Sequence, residues 1–251
     1  MIHVEGFSKL YGDFVAVDDL SFDVQPGSVM GLVGPNGAGK TTTLRCLAGI
    51  IPPTRGRLNL GGCDLATQPI EAKRQLAFFS DTPKLFDYLT VRQHLTFVAR
   101  IYNVRDAATI GQGLLEELEI ADKADQLPSE LSHGMRQKLA IACGLLHSPS
   151  VIYFDEPLTG LDPYGIRRMK DSILQRARNG AAIIISSHLL PLVEEICSHI
   201  LIVKNGKKII HGPLDEIRKQ FLEQSGSTNL EELFFRATGE ATSGTDAPPA
   251  P

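Results

Sequence analysis

The chain has 251 residues, 43% of them hydrophobic, which is enough to build a sizeable core in one large or two small domains. Its 25 basic and 29 acidic residues give a formal net charge of −4, so electrostatics offers no reason to expect binding to nucleic acid or to an anionic membrane surface. No apolar run approaches the ~18 residues that span a bilayer, and no basic and apolar leader opens the chain, so we expect a cytoplasmic protein.

Short antiparallel strands are predicted at the start of the chain. Apolar and polar residues alternate within residues 2–4, 15–17 and 22–24. Residues 11–13 interrupt the alternation as a turn. This part of the chain is therefore predicted to form short antiparallel strands.

A glycine-rich segment, GPNGAGKTT at residues 34–42, follows an apolar run and precedes a helical pattern. It matches a phosphate-binding P-loop, whose glycines let backbone N–H groups line a hollow where a Cβ atom would collide with bound oxygens. Lys40 is placed to reach terminal phosphates, and the Thr41 hydroxyl is placed to join the shell of a Mg²⁺ ion. The helix that begins at Lys40 adds its positive dipole end. The predicted nucleotide-binding residues are Gly34, Pro35, Asn36, Gly37, Ala38, Gly39, Lys40, Thr41 and Thr42.

The middle of the chain is predicted to be largely helical. The P-loop helix should end near Gly49, because two prolines follow, and residues 57–62 enter a hairpin. Residues 84–148 then have helical apolar spacing, and strand signals fade. We interpret that region as a helical insert that Pro149 closes.

Two fully apolar runs, residues 151–154 and 181–185, are typical of strands buried on both faces of a parallel sheet. A helix over residues 164–178 permits the crossover between them. Asn205 and Gly206 suit the positive φ angles of a tight hairpin turn. Helices are predicted at 214–222 and 230–237, and residues 238–251 are predicted to be a disordered tail because they are rich in Gly, Ala, Ser, Thr and Pro.

Two adjacent carboxylates, Asp155 and Glu156, end the apolar strand at residues 151–154. Asp155 is placed to hold Mg²⁺ directly or through water, and Glu156 to take a proton from an attacking water molecule. The alternative is a pair of solvated carboxylates at a strand end. The P-loop upstream favours the catalytic interpretation.

Three further segments, in the order in which they occur, resemble motifs of one family. They are LSHGMRQ at residues 131–137, LTGLD at 158–162 and SSH at 186–188. Together with the P-loop and Asp155, they make the chain similar to the nucleotide-binding subunit of an ATP-binding cassette (ABC) transporter over almost its whole length. The resemblance implies an α/β fold: a P-loop NTPase core with a RecA-like mixed sheet, an antiparallel β subdomain and an inserted α-helical subdomain.

The resemblance also implies domain bounds. Residues 1–237 would form one ABC ATPase domain, with 1–83 and 149–237 as the catalytic core with its β subdomain and 84–148 as the helical subdomain that carries the signature. ATP and Mg²⁺ would be the cofactors.

The same resemblance assigns site residues beyond the P-loop. Ser132, His133 and Gly134 would meet the γ-phosphate held by a second subunit, and Asp162 would act across that dimer. His188 would contact the γ-phosphate and orient water and Glu156, and Tyr11 would stack on adenine. From the residues alone, each has an alternative that stays open. Ser132 would only cap a core helix, Asp162 would be an acidic turn residue, His188 a solvated histidine and Tyr11 an exposed turn tyrosine.

Two positions depart from the family pattern. Asp81 stands where most members have a glutamine that meets Mg²⁺, so its carboxylate adds negative charge and lacks an amide donor. His133 stands where many members have glycine, and its Cβ would crowd the phosphate. The predicted metal ligands are Thr41, Asp81 and Asp155, and the predicted catalytic residues are Lys40, Glu156 and His188.

The predicted function is ATP hydrolysis that drives transport, with export favoured, through separate integral membrane subunits. Those subunits would hold this chain at the inner face of the membrane. Two subunits, identical or different, would close over Mg-ATP, and no nucleic acid is expected. The aromatic residues Phe86, Tyr88, Phe97 and Tyr102 would line a groove for a helix of the membrane partner, although core positions are the favoured alternative for most of them. The competing functions are a weakly or non-hydrolysing ATP switch and a soluble ABC protein acting on the ribosome or DNA.

Overall fold

Two β-sheets and their flanking helices make up the fold. The computed structural model describes residues 1–158, 162–225 and 230–239. The strands are β1 (Ile2–Tyr11), β2 (Phe14–Val24), β3 (Val29–Val33), β4 (Arg55–Leu60), β5 (Cys63–Asp64), β6 (Leu76–Phe79), β7 (Val151–Asp155), β8 (Ala182–Ser186), β9 (His199–Lys204) and β10 (Lys207–Pro213). The helices are α1 (Lys40–Leu47), α2 (Pro69–Arg74), α3 (Val91–Tyr102), α4 (Ala107–Glu117), α5 (His133–Leu145), α6 (Pro163–Arg178), α7 (Leu190–Ile196), α8 (Leu214–Ser225) and α9 (Leu230–Thr238).

The smaller sheet is antiparallel, with the strand order β2-β1-β4-β5. Its first hairpin turns at Gly12, as the alternating pattern of the first 24 residues predicts. Gly12 has a φ of 58°, which a β-branched or bulky residue rarely adopts. The predicted antiparallel β region is therefore confirmed.

The larger sheet has the order β10-β9-β3-β8-β7-β6, and only β10 runs antiparallel to its neighbour. Side chains alternate between its two faces. Met30, Tyr153 and Ile184 point into a core shared with the smaller sheet and α1. Ile152 and Ile183 point into a second core under the other helices. The mixed α/β fold predicted from the sequence is confirmed.

The β9–β10 hairpin joins the antiparallel strand to this sheet. Its turn residues Asn205 and Gly206 have φ angles of 50° and 75°, so both occupy the left-handed region that the pair favours. The hairpin prediction is confirmed at these two residues.

Helices α3, α4 and α5 lie in the region that sequence patterning predicts to be helical. Thr90 begins α3 with a capping box, in which its side chain accepts from Gln93 N and its N–H donates to the Gln93 side chain. α5 packs against the sheet as well, since a Cβ atom on Gly144 would lie 2.4 Å from the ring of Phe79. One hydrophobic core therefore joins these helices to the strands.

Three elements were not predicted: α2, β6 and α7. Each has seven residues or fewer. Phe78 and Phe79 end β6, and the loop that contains Asp81 begins at Ser80. Short elements leave too little periodicity to be recognised.

The core interpretation of the aromatic residues in the helical region is wrong for three of them. Phe86, Tyr88 and Phe97 are exposed by 55%, 91% and 41%. Tyr102 is half-buried and stacks on His147, with ring centroids 3.9 Å apart. Aromatic composition alone did not reveal this exposure.

Two predictions fall largely outside the described residues. Residues 159–161 of the LTGLD segment are among those not described, as are residues 240–251 of the predicted tail. Thr238, the first residue of that predicted tail, ends α9.

Tyr153 provides a test of the core shared by the two sheets. Its side chain is fully buried, and its hydroxyl has no hydrogen-bond partner among the described residues. Because a buried unpaired hydroxyl is destabilising, Tyr153→Phe is expected to raise the free energy of unfolding by about 1 kcal/mol. Urea unfolding measures this change, and a loss of stability would show that the hydroxyl has a partner.

Candidate functional site

The candidate site lies where three neighbouring parallel strands end. The P-loop follows β3, Asp155 ends β7 and Ser186 ends β8. These strands are adjacent in the order β3-β8-β7, so their carboxyl ends meet at one edge of the sheet. Ligands of open α/β sheets bind at this edge.

Asp155 is buried, with 4% of its surface exposed, and it joins the three strand ends. Its Oδ1 accepts a hydrogen bond from Thr41 Oγ1 at 3.2 Å and from Ser186 Oγ at 2.5 Å. The structure thus brings together Thr41 and Asp155, two of the predicted metal ligands. Ser186 was not among the predicted site residues, although its position directly after an apolar strand could have indicated it.

The chemistry of this pair fits a magnesium ion bound together with phosphate. Mg²⁺ takes oxygen ligands, keeps several waters and uses one or two protein groups beside the phosphates of its substrate. Within the described ranges, no group of three or more His, Cys, Asp or Glu side chains could hold a metal by itself. The protein is therefore expected to supply two ligands to such an ion, one hydroxyl and one carboxylate.

Lys40 is folded over the P-loop. Its Nζ donates to Gly34 O at 2.7 Å and to Pro35 O at 3.1 Å, and only 8% of the residue is exposed. Burial lowers the pKa of Lys40, while the nearby Glu156 and Asp155 carboxylates act to raise it. The ammonium group is therefore held at the loop, where phosphate oxygens can replace carbonyl oxygens as its acceptors.

Two of the P-loop glycines are required by the protein's own backbone. A Cβ atom on Gly34 would lie 2.3 Å from Val203 O, and one on Gly39, whose φ is 100°, would lie 2.6 Å from Ala16 O. The sequence interpretation was that glycine is needed here because a Cβ atom would collide with bound oxygens. For Gly34 and Gly39, however, the collision would be with backbone atoms of β9 and β2. Gly37 differs, because its φ is 79° but a Cβ there would meet no atom of the described part of the chain within 4 Å.

The β9–β10 turn completes this packing around the P-loop. Gly206 N donates to Ala38 O at 3.1 Å, and Gly206 O accepts from Asp18 N at 2.9 Å. The turn is therefore hydrogen-bonded to both the P-loop and β2. Nothing in the local sequence of the P-loop indicated this support.

Glu156 and His188 also meet. His188 Nδ1 and Glu156 Oε2 are 2.8 Å apart, with Glu156 half-buried and His188 exposed. Glu156 has a φ of 54°, and its N–H donates to Ser186 O at 3.1 Å. The structure thus places the predicted base and the predicted histidine in direct contact, beside Asp155.

The remaining predicted residues lie apart from this cluster. Ser132 caps α5 by accepting a hydrogen bond from Met135 N at 3.3 Å. Ser132 and His133 are both exposed, and Gly134 lies in the first turn of the helix. Asp162 caps α6 by accepting from Gly165 N at 2.6 Å. No hydrogen bond of the described residues joins these capping residues to the P-loop or to Asp155 and Glu156.

Asp81 and Tyr11 are likewise separate. The Asp81 carboxylate accepts from the neighbouring Thr82 N at 2.8 Å, and among the described hydrogen bonds none joins it to Thr41 or Asp155. Tyr11 ends β1, is 49% exposed, and lies with its ring 4.9 Å from Lys9 Nζ. Its ring is therefore accessible for stacking.

One neighbour of the site was missed by sequence reasoning. Phe234 of α9 borders a cavity of about 420 Å³ together with the first residues of the P-loop and His188. The sequence predicted a helix at α9 but gave no signal of its contact with the site. The last described helix thus reaches the edge of the sheet where β3, β7 and β8 end.

Comparison with known proteins identifies relatives of this arrangement. A family model described as "ABC transporter" matches residues 17–159. The chain is 32% identical to the ABC-type transporter ATP-binding protein EcsA of Bacillus subtilis, over 96% of this chain and 97% of that protein. It is 36% identical to the bacitracin transport ATP-binding protein BcrA of Bacillus licheniformis, over 94% and 79%, and 36% identical to the Nod factor export ATP-binding protein I of Burkholderia thailandensis, over 84% and 70%.

A solved structure described as "Structure of ATP binding subunit of ABC transporter" superposes with a TM-score of 0.89. Its sequence identity is 33%, and the match covers 94% of this chain and 99% of that one. Fold and sequence therefore point to the same family.

The two kinds of P-loop glycine can be separated by mutation. Gly39→Ala combines a positive φ with a clash against Ala16 O, so it should lower the free energy of unfolding of the nucleotide-free protein by about 3 kcal/mol or more. Gly37→Ala, its matched control in open space, should cost only about 1 to 2 kcal/mol. Urea unfolding compares them, and equal losses would contradict the proposed support from β2.

Proposed function

The chain belongs to the ABC transporter family, and on that premise we propose that it is the ATP-hydrolysing subunit of an export system whose membrane parts are separate chains. The observation that carries the proposal is the meeting of Thr41 with Asp155 and of His188 with Glu156 at one sheet edge, beside the buried Lys40. A relative named for bacitracin transport supports a transport function, and one named for Nod factor export supports its direction.

ATP binding follows from the groups around the P-loop. The Lys40 ammonium would bind the terminal phosphates, and the amino end of α1 would add its positive dipole. Thr41 and Asp155 would hold Mg²⁺, which when bound neutralises phosphate charge. The exposed ring of Tyr11 would stack on adenine.

Hydrolysis is assigned to Glu156 and His188. His188 engages Oε2 of Glu156, which fixes the carboxylate and leaves Oε1 as the oxygen to accept a proton from water. The backbone bond from Glu156 to Ser186 O holds the same residue from the other side. A base fixed in this way can act on water only if the water lies between it and the phosphate.

A second subunit is needed to use Ser132, His133 and Asp162. Ser132 and His133 are exposed at the amino end of α5. Because no hydrogen bond among the described residues joins them to this chain's own P-loop, we assign them to the phosphate held by a partner subunit, identical or different. Asp162, exposed at the start of α6, would act across the same interface.

Residues 1–237 would work as one ATPase domain, with residues 84–148 as its helical subdomain. A single hydrophobic cluster that includes Leu95 of α3, Leu139 of α5 and Ile152 of β7 supports this organisation. Movement of the helical part would then be transmitted to the strands that end at the site.

A groove offers a docking surface for the membrane subunits. A cavity of about 640 Å³ lies between the Asp81 loop, α3 and α5, and its walls include Phe86, Phe97, Val98 and Ile141. Phe86 and Phe97 meet edge to face, with centroids 5.1 Å apart. An apolar helix from a membrane subunit fits such a groove, and it would hold this chain at the inner face of the membrane.

Two alternatives have less support. The argument for a non-hydrolysing ATP switch is that Asp81 and His133 depart from the family pattern. The contact between His188 and Glu156 supports catalysis instead. A protein acting on the ribosome or DNA is disfavoured by the net charge of −4.

Glu156→Gln tests the assigned base. The substitution removes the proton acceptor and leaves Lys40, Thr41 and Asp155 in place, so hydrolysis should fall by about 10²- to 10⁴-fold while Mg-ATP affinity is retained. Steady-state phosphate release and equilibrium binding measure the two effects. Glu71→Gln, an exposed change on α2, is the control. Full activity of Glu156→Gln would refute the assignment.

Replacing both Phe86 and Phe97 by serine tests the groove. The double variant should lose association with the membrane subunits, because two exposed aromatic walls are removed, and should bind ATP as before. Co-purification and nucleotide binding are the measurements. Ile70→Ser, at an apolar residue on α2 that is 64% exposed, should change neither. Parallel loss of both properties would indicate misfolding, and retained association would place docking elsewhere.

A further inference from the structure

Gln137 of α5 connects the signature helix to the residue after Glu156. The side chain is buried, with 3% of the residue exposed, and its Nε2 donates to Pro157 O at 2.9 Å. The two residues are 20 positions apart in the sequence. This bond therefore ties α5 directly to the segment that carries the proposed base.

Glu156 needs such support because of its backbone conformation. Its φ of 54° lies in the left-handed region, which residues other than glycine adopt only when the surrounding structure holds them. On its amino side, Glu156 N donates to Ser186 O at 3.1 Å and approaches Ser186 Oγ at 3.3 Å. On its carboxyl side, Pro157 has no N–H, so its carbonyl is the polar backbone group available, and Gln137 binds it.

Only one end of the Gln137 amide has a hydrogen-bond partner among the described residues. Gln137 Oε1 is buried and has no hydrogen-bond partner among the described residues. An unpaired buried acceptor is destabilising and offsets part of the stabilisation that the Nε2 bond to Pro157 O provides. The donor Nε2 is thus the bonded part of the side chain, and an apolar side chain of similar length would lack it.

We propose that Gln137 is a positioning residue that holds Glu156 in its strained conformation and couples it to α5. The inference rests on the hydrolytic function proposed for this site. Gln137 also borders the groove between the Asp81 loop, α3 and α5. An occupant of that groove that displaces α5 would therefore move the carbonyl that follows Glu156, and with it the carboxylate.

Gln137→Met in the full-length chain tests the proposal, because methionine keeps the length and loses the donor. Hydrogen exchange followed by mass spectrometry should show faster exchange in the peptide containing Glu156 and Leu158. The kcat for ATP should fall by about ten- to a hundredfold, as expected for a displaced catalytic group, while KM and Mg-ATP affinity stay unchanged.

Gln75→Met is the matched control. Gln75 Oε1 accepts from Ser150 Oγ at 3.2 Å at the amino end of β7, opposite the site, so this variant should leave kcat and exchange near Glu156 unchanged. The inference would be overturned if the Gln137→Met variant had the same exchange rate and the same kcat as the wild-type chain. It would also be overturned if ATP affinity fell in parallel with kcat. Because exchange needs no turnover, an inactive wild-type chain would refute the proposed hydrolysis while exchange still decides the role of Gln137.

Discussion

The carboxylate of Asp155 is the interaction on which the site depends. A buried charge is unfavourable unless hydrogen bonds compensate it, and here the hydroxyls of Thr41 and Ser186 both donate to Oδ1. Sheet register produces this meeting, since Ser186 lies opposite Asp155 on one neighbouring strand and opposite Leu32 on the other. One charge thus fixes the P-loop helix relative to two strand ends.

The P-loop itself is held by elements far away in sequence. Gly34 lies against β9, Gly39 against β2, and the turn at Gly206 is bonded to both the P-loop and β2. This side of the site has little room to move. Glu156, by contrast, is followed by Pro157, whose carbonyl accepts a bond from Gln137 of α5, and α5 borders the groove proposed for the membrane partner. On the proposed function, the phosphate site is held by β2, β9 and the Gly206 turn, whereas the segment that carries the base is also bonded to α5.

Much of this could be predicted from the sequence where the signal is local. The strands at β7 and β8 are fully apolar runs, and the Asn205-Gly206 pair specifies its own turn. The long-range contacts could not be predicted, because no local pattern shows that Gly39 lies against Ala16 or that Gln137 reaches Pro157. The prediction that most of the aromatic residues are buried was wrong for the same reason. Whether Phe97 is buried depends on which distant residues pack on it, and the local sequence does not show them.

On the proposed function, the P-loop is half of a site, and a second subunit completes it with the exposed Ser132 end of α5. The most direct test is the solution mass of the Glu156→Gln chain by analytical ultracentrifugation with Mg-ATP and with Mg-ADP. If two copies close over ATP, the species should change from the 27.3 kDa chain with ADP to twice that mass with ATP. Replacing Ser132 by arginine should prevent the change. A chain that binds ATP fully and stays at 27.3 kDa would contradict closure by identical copies.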